Sequence, residues 1–135
     1  MASSIPWQDR YKSVYCINVI KPSMAYNEFL ADRVRQRLRN AGQVVEKKMM
    51  GGLVFMVNDK MCIGIDTDKY TRDDRLMVRV GKLPYEVLLG QKGSRHMNFT
   101  GKPMRGFLFV DPVGFDTDQD LDFWVSKALD FNKLL

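Results

Sequence analysis

The chain has 135 residues, of which 45% are hydrophobic and 27% are charged, and its formal net charge is +5. This length and composition predict a single globular domain and exclude a chain that is disordered throughout. The longest uninterrupted apolar run covers residues 53–57. That run is far shorter than the roughly 20 residues that a membrane-spanning helix requires, so the sequence predicts no transmembrane segment and no membrane partner.

Residues 1–23 differ in composition from the rest of the chain. They begin with a polar stretch and contain one short β-prone run, Val14 to Ile20, which Asn18 interrupts. A secretory signal peptide is excluded because the apolar run comes late and lacks a small-residue cleavage pattern. One alternative is that the run adds an edge strand to the domain.

Cys16 and Cys62 are the only cysteines of the chain. Their spacing contains no CxxC motif and no histidine lies near either of them, so the pattern favours neither a zinc site nor a disulfide framework. We therefore expect reduced thiols, with Cys62 buried in a strand, in a cytoplasmic protein.

The first helix is predicted to begin after Ser23 as its N-cap and to run to about Asn40, with Gly42 just past its end. Its apolar residues recur at steps of three and four and share one face: Tyr26, Leu30, Val34, Leu38 and Ala41. Arg33 and Arg37 flank this stripe. Two interpretations apply to them, either aliphatic packing over the edge of the core or contact with a ligand phosphate.

The remainder of the chain predicts strands joined by short connections, with two further helices. The strands are predicted at residues 44–50, 53–57, 61–65, 75–80, 97–100 and 107–110. A short helix is expected over residues 84–89 and a final helix from within residues 116–118. Short connections of this kind form antiparallel hairpins. The pattern therefore predicts an α+β fold, an antiparallel sheet of about five to six strands flanked by N-terminal, middle and C-terminal helices.

Charge is unevenly distributed along the chain. Residues 75–105 contain seven basic residues against Glu86 alone, whereas residues 111–122 contain five aspartates and no base. A basic segment of this kind can face a polyanion, and the alternative is an ordinary solvated surface. Strand alternation directs Arg79 away from the core, and Lys102 and Arg105 lie in the predicted turn at residues 101–106.

The sequence offers no constellation that would catalyse a reaction. His96 is the only histidine, and nothing around it indicates a nucleophile that it could activate. Four aspartates between residues 66 and 74 lack the central glycine and closing glutamate of a calcium loop. Gly51-Gly52 lacks the endings of phosphate-binding loops. We therefore expect no cofactor, no metal and no enzymatic activity.

Several motifs in a fixed order connect the chain to a known family. They are the stretches 46–55, 76–81, 99–106 and 110–112 and the closing helix around Trp124. In this order and spacing the chain resembles the N-terminal domain of the TfoX/Sxy family, a small bacterial domain linked to competence regulation. One departure is Met50, which stands where the family usually carries an aromatic residue before the two glycines.

The resemblance implies an α+β domain of the secretion-chaperone type that offers no established catalytic residues. Because the family typically begins near a Met-Ala-Tyr sequence, it also implies a domain that starts at Met24 and extends to residue 135. Residues 1–23 would then be an extension, which a misassigned start would explain. Full-length relatives act as transcriptional co-regulators of DNA uptake and carry a second, helical domain, whereas we expect this chain to be a stand-alone N-terminal domain.

The resulting hypothesis is a non-enzymatic regulatory domain that binds a regulatory protein and exists as a monomer or homodimer. Its expected binding surface contains Arg79, Lys102 and Arg105. Lys47 and Lys48 are further candidates, although strand alternation directs them to opposite faces. The alternatives are direct binding of DNA or RNA through the same cations and a small-molecule site under the two glycine-containing turns, at residues 51–52 and 101–106.

Overall fold

The computed structural model describes residues 26–49, 51–98 and 103–135. The predicted cap at Ser23, the domain start at Met24, the extension 1–23 with Cys16, and the candidate Lys102 lie outside the described residues. No helix in these described ranges is both long and apolar enough to cross a bilayer.

The described residues form one sheet and three α-helices. The strands are β1 (Val44–Met49), β2 (Gly52–Val57), β3 (Lys60–Thr67), β4 (Asp74–Arg79), β5 (Ser94–Asn98) and β6 (Pro103–Val110). The helices are α1 (Glu28–Leu38), α2 (Tyr85–Leu88) and α3 (Asp118–Asn132), with a 3₁₀ turn at Pro112–Gly114. All strand pairs are antiparallel, in the order β1-β2-β3-β4-β6-β5. The predicted α+β class and strand number are confirmed.

Helix α1 begins later than the sequence predicts, because Asn27 caps it. The Asn27 side-chain oxygen accepts the backbone N–H groups of Phe29 at 2.7 Å and Leu30 at 3.1 Å, which satisfies two free donors of the first turn. The Asn27 amide also donates to Asp74 at 3.0 Å, so a tertiary contact holds this cap in place. The helix therefore begins at Glu28, four residues later than a start directly after Ser23.

Strand β6 is longer than predicted and includes Gly106, which the sequence places in a turn. Gly106 adopts φ +93°, and its carbonyl oxygen accepts the N–H groups of both Val80 at 2.8 Å and Gly81 at 3.1 Å. Two residues of one chain segment therefore face one residue of β6, as in a β-bulge. These two hydrogen bonds join β6 to the segment that follows β4.

The main core lies between the helices and one face of the sheet. The predicted stripe of α3 is buried there, and Trp124 donates its indole N–H to the Gly114 carbonyl at 3.1 Å. Thr117 caps α3 by accepting the N–H of Asp120 at 3.1 Å. Helices α1 and α3 both pack on this face. Side chains alternate along each strand, so the opposite face of the sheet carries a separate set of residues.

Methionine dominates the opposite sheet face. Val54, Met77, Met97 and Phe109 are buried there, and Met56, Met61, Met104 and Phe107 pack around them. These methionines fill a second, smaller core on this face of the sheet. Near one end of the face Asp66 is only 6% exposed, and its two carboxylate oxygens accept hydrogen bonds from Arg75 at 2.8 and 3.1 Å.

Candidate functional site

The structure separates the candidate cations into two groups. Lys47 and Lys48 lie in edge strand β1, whereas Arg79 ends β4 and Arg105 lies in β6. Two strands stand between β1 and β4, a separation of three strand spacings or about 14 Å. Lys47 and Lys48 therefore do not join the surface around Arg79.

The register also confirms that Lys47 and Lys48 face opposite sides of the sheet. Lys47 pairs with Val54, which belongs to the methionine-rich face, and Lys48 pairs with Leu53, which belongs to the helix-covered core.

Arg79 lies beside two phenyl rings at the end of the sheet. Its guanidinium carbon is 5.5 Å from the centroid of the Phe107 ring and 5.3 Å from that of Phe131. Its one hydrogen bond to a described residue is a long one, 3.5 Å to the carbonyl of Met61. Within the described ranges no carboxylate lies within 4.0 Å of this half-buried cation, so the rings hold it without neutralising it.

Arg105 has a weak acidic partner. Its guanidinium nitrogen lies 3.4 Å from a carboxylate oxygen of Glu86, and both side chains are more than 60% exposed. The guanidinium carbon also lies 5.6 Å from the centroid of the Tyr85 ring. An exposed pair of this kind contributes about 0–1 kcal/mol, so an incoming carboxylate can replace Glu86 at little cost.

Arg79 and Arg105 line one open groove, which we call the cationic groove. Its volume is about 320 Å³, and its lining residues are Arg79, Gly81, Lys82, Arg105, Gly106, Phe107 and Phe131. Lys82 is the cation that sequence reasoning did not select as a site residue. A signal for it was present, since it belongs to the basic segment and follows Gly81 directly.

Gly81 allows the groove to form. It adopts φ +85°, a conformation that favours glycine, and a Cβ atom there would lie 2.4 Å from the Phe131 ring. The absent side chain therefore lets the end of α3 approach the end of β4.

Three further cations of the basic segment, among the residues that the structure describes, have acidic partners. Arg75 contacts Asp66 and Asp68, Lys92 contacts Asp120, and Arg95 contacts Asp111 and Asp68. Basic and acidic residues that are separate along the chain therefore largely pair with each other in the folded domain. The other described cations of that segment are Arg79, Lys82 and Arg105. These three line the cationic groove.

The hydrogen bonds of Arg33 and Arg37 differ from both interpretations of the sequence, which were packing over the core edge and contact with a ligand phosphate. Arg33 donates to the Asp116 carbonyl at 3.0 Å, and Arg37 contacts Asp122 at 2.6 Å and Asp118 at 3.0 Å. Both arginines therefore attach α1 to the acidic start of α3, where negative charge also stabilises the helix dipole.

Asp68 is the centre of a polar network on the methionine-rich face. It accepts the N–H groups of Tyr70 at 2.8 Å and Thr71 at 3.3 Å, and it lies near the guanidinium groups of Arg75 and Arg95. The Tyr70 hydrogen bond is the largest cause of a lowered pKa for the Asp68 carboxyl, assisted by that of Thr71 and by both arginines. A hydrogen bond to Asp111 similarly raises the pKa of Arg95.

The lowered pKa of Asp68 predicts an acid-dependent contribution to stability. Its stabilising effect is fully present above the unfolded value of about 3.8 and is lost as pH falls through the lower folded pKa. We expect Asp68→Asn to reduce the free energy of unfolding near neutral pH and to approach wild type in strong acid. Urea unfolding across this range checks it, and a deficit that does not shrink in acid would contradict it.

The described thiol and imidazole do not form a reactive pair. Cys62 is buried as predicted, and burial raises its pKa to about 12 although Arg79 opposes the shift. His96 is exposed, and its Nδ1 lies 2.7 Å from the Tyr85 hydroxyl. No group of three or more His, Cys, Asp or Glu side chains in the described ranges is arranged to hold a metal ion.

The fold is that of a small α+β domain, and three of its cations line one open groove. The model of the TfoX N-terminal domain family matches residues 36–132, which is most of the chain, so the protein belongs to that family. The matched region includes the six strands, α2, α3 and the described residues of the cationic groove. No curated protein matches the chain.

Proposed function

We propose that this cytoplasmic protein is a non-enzymatic regulatory domain that binds a regulatory protein in competence or transcription-related control. Membership of the TfoX N-terminal domain family supports the competence-related role. The proposal assigns the domain to residues 24–135. The observation that carries the binding role is the convergence of Arg79, Lys82 and Arg105 in one open groove beside two phenyl rings.

Charge favours a protein partner over a nucleic acid. A protein that makes about 6–10 phosphate contacts needs a comparable number of accessible cations, because each neutralised phosphate pairs with a Lys or Arg. The cationic groove supplies three described cations, and the neighbouring arginines 75 and 95 are paired with aspartates. Cations held against aromatic rings, by contrast, suit a protein surface with a few carboxylates.

We predict that Arg79→Glu/Arg105→Glu abolishes capture of the native partner. Both changes place negative charge where the proposal expects a carboxylate, so the two surfaces would repel each other. The measurement is a pull-down from the native host with the tagged full chain, followed by identification and quantification of captured proteins.

The matched control is Lys60→Glu/Lys69→Glu, because both lysines are exposed and the change in net charge is the same. Capture by this control should equal that of the wild type, and both variants should retain the wild-type circular dichroism spectrum. Equal capture by the folded Arg79→Glu/Arg105→Glu protein would remove the groove as the binding site.

Direct nucleic-acid binding is separated from protein binding by its salt dependence. Each neutralised phosphate lowers the logarithm of affinity by roughly 0.7–0.9 per logarithm of salt concentration. Fluorescence anisotropy with duplex and single-stranded DNA and RNA at low salt is expected to show no binding. Tight, steeply salt-dependent binding that Arg79→Glu removes would replace the protein-partner proposal.

A further inference from the structure

An apolar pocket lies directly beside the cationic groove. Its volume is about 260 Å³, and its lining residues are Val80, Gly81, Lys82, Leu83, Pro84, Leu88, Lys127, Asp130, Phe131 and Leu134. These residues come from the segment after β4, from α2 and from the end of α3. Their separation along the chain explains why no sequence pattern indicates the pocket.

The rim of the pocket exposes large apolar side chains to solvent. Leu83 is 96% exposed and Leu134 is 80% exposed, although both line the pocket. A lone exposed leucine needs no explanation, but two at the mouth of one apolar pocket are typical of a surface that another protein covers.

The pocket and the groove form one continuous surface. They share Gly81, Lys82 and the Phe131 ring. A bound chain that crosses Phe131 would therefore pass from an apolar wall to a cluster of cations. Asp130 and Glu86 are the acids beside these cations, and Glu86 already contacts Arg105. The charge of the composite surface thus complements an acidic segment.

We propose that this composite surface binds a short acidic peptide segment of the partner protein. One large apolar side chain of the segment enters the pocket, and neighbouring carboxylates contact Arg79 and Arg105. The pocket supports this choice, since about 260 Å³ lined mainly by apolar residues has room for one large apolar side chain. This inference rests on the proposed function and adds the chemistry of the partner.

Peptide selection tests the inference without knowledge of the partner. A phage-displayed library of random peptides is selected against the immobilised full chain. The expected result is a consensus with one large aliphatic or aromatic residue and Asp or Glu within a few positions of it. Enrichment of basic peptides, or of none, would overturn the inference.

The consensus peptide, labelled with fluorescein, then locates the surface by anisotropy. We expect Arg79→Gln and Leu134→Asp each to weaken its binding by about tenfold or more, the usual scale for losing a charge-assisted hydrogen bond or a buried apolar contact. Replacing the apolar residue of the peptide by alanine should have a similar effect. Lys60→Gln is the matched control and should bind as the wild type does, because Lys60 lies outside both cavities.

Failure of this inference is distinguishable from failure of the proposed function. If the charge-reversed groove loses the native partner but Leu134→Asp captures and binds normally, the groove functions without the pocket and the inference is wrong. If neither variant loses the partner, both proposals are wrong. Binding of decanoate to the pocket, with no peptide enriched, would assign the pocket to a small amphiphilic anion instead.

Discussion

Replacing Gly52 by alanine is expected to lower the free energy of unfolding by about 3 kcal/mol, the upper part of the usual range for an overpacked interior. A Cβ atom at Gly52 would lie 2.1 Å from the backbone carbonyl oxygen of Ile65 and 2.7 Å from the Cβ of Asp66. The first neighbour is backbone within the β2–β3 pair, so it cannot rotate away as a side chain would. Relief requires displacement of the strand itself.

Gly51 provides the matched control for this prediction. It adopts φ +77° in the β1–β2 turn, and a Cβ atom there would meet no heavy atom of the described residues within 4 Å, its chain neighbours aside. Gly51→Ala should therefore cost only the left-handed strain, about 1–2 kcal/mol. Urea unfolding followed by tryptophan fluorescence measures both. A Gly52→Ala protein as stable as the Gly51→Ala protein would show that the strands shift easily.

The two glycines also show how far the sequence leads. Their pairing between apolar runs predicts a hairpin corner, and the register from Met49 to Gly52 confirms it. The sequence does not distinguish their roles. Only glycine fits at residue 52 because Ile65 and Asp66 on the neighbouring strand leave no room for a side chain. Local conformation was predictable at Gly51, and close packing across strands was not.

The first helix shows the same difference between local features, which the sequence predicts, and contacts between distant residues, which it does not. Periodicity correctly placed Leu30, Val34 and Leu38 in the core, since burial of a helix stripe depends on spacing alone. The start of the helix was misplaced because both Ser23 and Asn27 are good caps by residue type. A distant contact, from Asn27 to Asp74, accompanies the cap that the structure uses.

The candidate site was also predictable only where it depends on local spacing along the chain. Strand alternation correctly separated Arg79 from the main core. Its two aromatic neighbours could not be predicted, since Phe131 lies in α3 and Phe107 in β6. Charge counting along the chain also overestimated the basic surface, because folding places Asp111 against Arg95 and Asp66 against Arg75.

Removing the Asp66 carboxylate is the second large effect that the structure predicts. Asp66 is buried, and both of its oxygens accept hydrogen bonds from Arg75, whose guanidinium carbon lies 3.8 Å from the centroid of the Phe109 ring. Loss of one member of a buried pair typically costs about 3–5 kcal/mol, because the other charge remains desolvated. Asp68 still contacts Arg75 at 3.0 Å, so we expect Asp66→Ala to cost about 3 kcal/mol.

Two further variants separate burial from pairing as the cause. Glu46 accepts two hydrogen bonds from Arg35, at 2.6 and 2.9 Å, but on an exposed strand, so Glu46→Ala should cost at most about 1 kcal/mol. Asp66→Ala/Arg75→Met should be more stable than Asp66→Ala alone, because methionine removes a desolvated charge that Asp68 compensates only in part and extends the methionine-rich face. Equal losses for Asp66→Ala and Glu46→Ala would show that burial adds nothing. If the double variant is no more stable than Asp66→Ala, the loss of stability in Asp66→Ala does not come from Arg75 losing its partner. The packing of Asp66 beside Gly52 would then be the larger cause.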